Sequence, residues 1–193
     1  MAATPWVKPE DCLSGERVAT EKHEYFDGRI SQRPSADRDH SVIATNLVLG
    51  LHEVLRQQGR HLMGSDMRVR AGPAYVYPDL SIVCGEGTYE DDHVDVLLDP
   101  VAIVEVLSKC TEAYDRGLTF AHHQRIPSLH TYVLVSSTEP RVEVFERIDE
   151  GWLLRVFQGL EATATLARLN VSLPLAEVYF GVDVVAGPGV HDE

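Results

Sequence analysis

Residues 100–136, PVAIVEVLSKCTEAYDRGLTFAHHQRIPSLHTYVLVS, decide the fold. Positions 100–107 are apolar nearly throughout and hold a single charge, Glu105. A continuous apolar run of this kind is typical of a strand covered on both faces, since a half-wetted strand alternates. Residues 111–125 then read as a helix. Thr111 can cap it, Tyr114, Leu118, Ala121 and Arg125 share one face, and Ile126-Pro127 stops it, because the residue before a proline is pushed out of helical geometry. Positions 129–136 are apolar again and form a second strand. Strand, helix, strand in this order is a parallel crossover, which runs right-handed.

Antiparallel elements flank the crossover. Upstream, HEYFDGRIS (23–31) alternates loosely around Asp27-Gly28, a two-residue turn signal, so a hairpin is expected there. Asp37 or Asp39 caps a helix in which Ile43, Leu47, Gly50, Leu51, Val54 and Leu55 form one apolar stripe, and Gly59 ends it. Strands are expected at about 61–70 and 75–84, an antiparallel pair at 140–147 and 151–158, and a short helix near 174–180. The fold class is therefore α/β: a mixed β-sheet flanked by helices. The chain divides into an arm at 1–15, a domain at 16–185 and a tail at 186–193, the arm because Pro5 and Pro9 stand among few apolar residues.

Composition narrows the function classes. The chain has 193 residues, one domain's worth, long enough to bury about 70% of its unfolded surface. Cys12, Cys84 and Cys110 are odd in number and far apart, with no CxxC, so neither a zinc ribbon nor a redox pair is signalled and a reducing cytoplasm is the expected location. The start lacks a secretory signal, and no apolar run is long enough to span a bilayer. Seventeen basic against 30 acidic residues give a net charge of −13, which argues against broad affinity for DNA but leaves room for a small basic cleft. No glycine-rich phosphate loop occurs.

Two acids stand where acids are costly. Asp79 follows Pro78 at the entrance to the apolar run 80–83, and Glu105 lies inside 101–107. An ionised carboxylate in a buried strand needs a partner, hydrogen bonds or a cation. Neighbouring strands would bring both acids to one point, where two carboxylates and a backbone carbonyl, that of Val106, are oxygen ligands suited to Mg²⁺. A metal held so activates water and stabilises charge on a phosphodiester. The plainer alternative is that Asp79 belongs to a turn and Glu105 to an ion pair, with Arg68 or Arg116 as partners.

The arrangement resembles the PD-(D/E)XK nuclease superfamily, and more closely the Uma2 family. The resemblance runs over about 16–180 and is carried by KHEYFDGRI (22–30), Asp39-His40-Ser41, GSDMRV (64–69), Tyr77-Pro78-Asp79, IVEVLS (103–108), AYDRG (113–117), IPSL (126–129) and YVLV (132–135). It implies a restriction-endonuclease-like fold, a homodimer, a nucleic-acid substrate with DNA ahead of RNA, and Mg²⁺ or Mn²⁺ as cofactor. Asp79 and Glu105 become the metal acids, with Glu24 and His40 close by. One position departs: where the family commonly has a lysine after Asp-Arg-Gly, this chain has Thr119, and residue 107 is leucine. Lys109 and Arg116 are the nearby cations, although arginine stays protonated and serves as a clamp rather than a base.

Two functions follow from different classes. The first is a Mg²⁺-dependent endonuclease with Asp79, Glu105, Lys109 and Arg116 in the catalytic centre. The second is a nuclease-fold binding or regulatory module silenced by the lost lysine. His122-His123 point about 100° apart on a helix and so do not chelate one ion, but one of them could border the cleft, and the acidic run 91–95 reads as a solvated loop.

Overall fold

The computed structural model of the chain describes residues 6–33, 35–108, 117 and 119–184. Residues 9–15, expected as part of an arm, fold together with Glu16 as a short helix, α1 (Pro9–Glu16), with proline in its first turn and Cys12 and Leu13 buried. Proline suits that position because its missing N–H has no helical partner there. The expected hairpin follows as β1 (His23–Phe26) and β2 (Arg29–Gln32). Asp27 and Gly28 both take positive φ, 44° and 86°, the geometry whose twist matches the flanking strands.

α2 (Arg38–Gln57) is capped by Asp37, whose side chain accepts the His40 N–H at 2.9 Å. Ile43, Leu47, Leu51 and Leu55, four residues apart, are its buried positions. The chain then turns through Gly59, at φ 67°, into β3 (Arg60–Gly64). The run expected at 61–70 is two strands, because Ser65-Asp66 turns the chain before β4 (Arg68–Ala71). The run at 75–84 likewise splits at Pro78 into β5 (Ala74–Val76) and β6 (Leu80–Cys84). There follow β7 (Val96–Leu97), β8 (Ala102–Leu107), α3 (Phe120–His123) and β9 (Thr131–Ser136). The remainder is β10 (Arg141–Ile148), β11 (Gly151–Gln158), β12 (Thr163–Leu166), β13 (Val171–Pro174) and α4 (Leu175–Val178). The sequence reading had no strands at 163–174.

The principal sheet has six strands in the order β11-β10-β9-β8-β6-β3. β8 and β9 pair in parallel, from Ala102↔Thr131 to Leu107↔Ser136, and β6 pairs antiparallel with β8 on the other side. A second sheet runs β2-β1-β5-β4-β7, and β12 and β13 form a small hairpin. The α/β class with a mixed sheet and flanking helices is therefore what the chain adopts. All six residues of β8 are buried, as its continuous apolar run requires. Val104 and Val106 face a core with α2, while Ile103 and Leu107 face a second core that includes Val69 and Val76 of the other sheet. Alternate residues of β8 thus serve different layers, the period-two rule of any strand. Among the described residues no helix is long and apolar enough to cross a membrane.

Candidate active site

β6 and β8 set the site. Their register ends at Leu80↔Val104, so one step further Asp79 lies across from Glu105. Val83 and Ile103 face the same core, and counting by twos puts Asp79 and Glu105 on that face too. Both carboxylates are withdrawn from solvent, Asp79 being 5% and Glu105 7% exposed. The Asp79 N–H donates to Glu105 Oε2 at 3.2 Å, and the Val106 N–H donates to Asp79 Oδ2 at 2.8 Å. The N–H and C=O of one strand residue leave on the same edge, so the Val106 carbonyl belongs to the Asp79 side of β8. Pro78 makes this possible: it ends β5 and frees the edge of β8 that a longer β6 would have paired.

Two cationic groups close on the Asp79 carboxylate. Arg33 Nη2 donates to Oδ1 at 2.6 Å, and His40 Nε2 lies 3.0 Å from Oδ2. Burial pushes the Asp79 carboxyl up, but the bond from His40, the charges of His40 and Arg33 and the Val106 N–H together outweigh it and hold the group below its ordinary value. Burial opposes protonation of His40, yet the bond to Asp79 and its charge prevail and hold the imidazole above its ordinary value. Each group therefore favours the charged form of the other.

A cavity of about 760 Å³ opens over this end of the sheet, and its walls include Lys22, Glu24, Arg33, His40, Asp79, Glu105, Val106 and Thr119. Glu24 Oε1 accepts the Tyr77 N–H at 3.2 Å, which fixes the strand ahead of Pro78. Lys22 Nζ donates to the Ser65 carbonyl at 3.0 Å and pairs with Asp66. Thr119 is buried, and its Oγ1, like His40 Nδ1, has no hydrogen-bond partner among the described residues. Two buried polar atoms without partners at the wall of a polar cavity mark a place where a ligand or water completes the bonding.

The structure places Asp79, Glu105, Val106, Glu24, His40 and Thr119, all singled out from the sequence, around one cavity. Lys109 and Arg116 lie outside the described residues. The alternative pairing of the acids with Arg68 is corrected: Arg68 bonds Asp95 at 3.1 Å and lies over the Tyr77 ring. His122 and His123 are buried against Phe26 and Tyr132 and are not among the residues that line the cavity. Asp91 and Asp95 are held by Arg17 at 2.7 and 2.8 Å, so the acidic run is tied to α1 rather than free in solvent. Arg33 is the site residue the sequence reading missed. It stands in a polar breaker segment, and nothing in its neighbourhood points to a carboxylate 46 residues away.

The donors suit a hard cation. Mg²⁺ is usually held by one or two carboxylates with water completing an octahedron, which two acids and a backbone carbonyl satisfy. Among the described residues no group of three or more His, Cys, Asp and Glu side chains is arranged to hold a metal by itself.

Comparison with known proteins agrees with this architecture. The Uma2 family, described as "Putative restriction endonuclease", matches residues 10–176. An uncharacterized protein of Synechocystis, slr1290, is 32% identical over 184 residues, covering 94% of this chain and 95% of its own length. A second from the same organism, sll1609, is 29% identical over 174 residues, with 89% and 98% covered. Among solved structures, a protein of Anabaena variabilis described as "a putative nuclease belonging to DUF820" superposes with a TM-score of 0.74 at 18% identity, covering 90% of this chain and 97% of that one. At that identity the likeness is one of fold. With a family match across most of its length, the chain belongs to the Uma2 family of restriction-endonuclease-like proteins.

Proposed function

We propose that the protein is an endonuclease that hydrolyses phosphodiester bonds of nucleic acid, DNA ahead of RNA, with Mg²⁺ or Mn²⁺. The observation that carries the reading is the meeting of two buried carboxylates, Asp79 and Glu105, on one face of the sheet at the wall of a polar cavity. Asp79, Glu105 and the Val106 carbonyl would hold the ion. A divalent ion there would supply an activated water and stabilise charge on the phosphodiester. Arg33 and Lys22 line the same cavity beside the acids Glu21, Glu24, Asp79 and Glu105, and they are the lysine and arginine there that a phosphate would meet, in a chain whose net charge is −13. Lys109 and Arg116 are proposed to add to that charge in place of the lysine that Thr119 replaces.

Incubation of plasmid DNA with the purified chain tests this. Cleavage is expected with Mg²⁺ or Mn²⁺ and not with EDTA, and Glu105→Gln is expected to abolish it. If the wild type is inert with both ions and Thr119→Lys cuts, the silenced module is the correct reading. Among the described residues Cys12 and Cys84 are unbridged, and the proposed location is the cytoplasm.

The proposal includes a homodimer. β11 is the outer strand of the principal sheet and carries eight register pairs to β10 without a bulge. It has no proline or lysine, and Leu154 and Val156 are 46% and 45% exposed. A long apolar edge of this kind invites another strand, and a second copy brings an identical one across a twofold axis. Leu154→Lys with Val156→Lys is expected to convert a dimer into a monomer in sedimentation velocity, with little change in melting temperature. A monomeric wild type at about 100 times a typical micromolar Kd would exclude it.

A further inference from the structure

Arg33 sits on the short segment between β2 and α2, whose neighbours Gln32 and Ser35 are exposed. Its guanidinium divides its contacts: Nη2 on Asp79 Oδ1 at 2.6 Å and Nη1 toward the Ser65 carbonyl at 3.4 Å. The two oxygens of Asp79 are used unequally. Among the described residues, Oδ2 takes the Val106 N–H and His40 Nε2, whereas the contact on Oδ1 is Arg33. The carboxylate oxygen with capacity left for a metal is therefore the one that a permanent cation already holds. A doubly charged ion and a guanidinium on one oxygen repel strongly in a buried setting, where water screens little.

We infer that Arg33 is an internal competitor for the metal: it must leave Oδ1 before a divalent ion is held by Asp79, and the released guanidinium then stays in the cavity as a phosphate contact. This rests on the two-carboxylate metal reading given above. The release needs no refolding. Arg33 already lines the cavity, Gln32 and Ser35 on either side are exposed, and an arginine fork suits the two oxygens of a phosphate as well as those of a carboxylate. His40 and the Val106 N–H keep Asp79 oriented after the exchange.

A structural clamp and a competitor predict opposite signs. If Arg33 only holds Asp79 in place, neutralising it weakens metal binding; if it competes, neutralising it strengthens binding. Calorimetric titration of the full chain with MnCl₂ at pH 7.5 is expected to give Arg33→Gln a Kd roughly tenfold or more below that of the wild type, the size of effect a close charge exerts on a carboxylate. Arg33→Lys is expected to fall between them, and Arg33→Met covers the case in which the glutamine variant does not fold. With Mn²⁺ saturating, Arg33→Gln is expected to bind a short single-stranded oligonucleotide more weakly than the wild type. Equal or weaker Mn²⁺ binding by the neutral variants overturns the competitor role while leaving the metal reading intact. Absence of Mn²⁺ binding in the wild type and every Arg33 variant overturns the metal reading, and the inference with it.

Discussion

Asp79→Ala is expected to remove divalent-dependent cleavage altogether and to lower folding stability by about 2–4 kcal/mol. The stability loss comes from what the substitution leaves behind. Three donors converge on this carboxylate: Arg33 on Oδ1, His40 and the Val106 N–H on Oδ2. Breaking a buried ion pair by deleting one partner costs about 3–5 kcal/mol when the survivor stays buried. Here the survivors have some relief, because the Arg33 and His40 side chains are 19% and 14% exposed and can turn into the cavity, which places the expectation below that range. The Val106 N–H cannot move and loses its acceptor, about 1–3 kcal/mol by itself. Asp79→Asn is not a neutral control. An amide has one oxygen, so its NH₂ must meet either Arg33 or the pair formed by His40 and Val106. Glu105→Gln differs, because its carbonyl can still accept the Asp79 N–H. Urea unfolding and cleavage measured side by side should therefore find Glu105→Gln inactive with the smaller stability loss, and Asp79→Ala both inactive and destabilised. Retained cleavage in Asp79→Ala would remove this carboxylate from the chemistry, and unchanged stability would show that its three bonds are worth nothing net.

The parts of this architecture that local chemistry dictates were legible in the sequence. β8 announced itself because a strand between two layers has no polar face to show. The Asp27-Gly28 turn did so because few other pairs tolerate positive φ at both positions, and α2 did so through a stripe repeated every fourth residue. Elements that depend on distant partners did not. β12 and β13 are four residues each, with every second residue buried, and only their mutual pairing and the core with α2 make them strands. α1 has just two buried residues, Cys12 and Leu13, and they pack with Tyr25, Tyr75 and Val96 from the second sheet. No window around residues 9–16 contains that information.

The site divides in the same way. Asp79 and Glu105 could be found because a carboxylate inside an apolar strand violates the solvation rule openly, and a violation asks for a partner. His40 could be placed only through the family pattern, and Arg33 not at all, since an arginine beside a proline in a polar segment violates nothing. The identity of the partner that compensates a buried charge is a tertiary fact. The fold carries it through the length of the β2–α2 connection, which delivers Arg33 and His40 to opposite oxygens of one carboxylate.

Acid is expected to destabilise the protein more steeply than its surface carboxylates require, and His123 is the reason. Its ring is fully buried against Tyr132, at 5.3 Å between centroids, and neither nitrogen has a hydrogen-bond partner among the described residues. Burial holds its pKa down to about 3, against about 6.5 for the same side chain in the unfolded chain. Between those two values the unfolded state binds a proton that the folded state refuses. Stability is therefore intact above about pH 6.5 and falls as pH drops toward 3, by up to about 1.4 kcal/mol per pH unit. His40 acts in the opposite sense: held above its ordinary value by Asp79, it contributes stability that is present below pH 6.5 and is lost as pH rises through its folded value. The two histidines thus act on different sides of about pH 6.5 and can be separated. His123→Phe keeps an aromatic ring against Tyr132, has nothing to protonate and removes two unpartnered polar atoms. Urea unfolding at half-unit steps from pH 4.5 to 7.5 is expected to give the variant a clearly flatter acid limb than the wild type, with a residual slope from His122, which burial also holds below its ordinary value. Parallel limbs for the two proteins would mean that His123 is hydrated or protonated in the native state, and the closed packing of α3 on β9 would have to be abandoned.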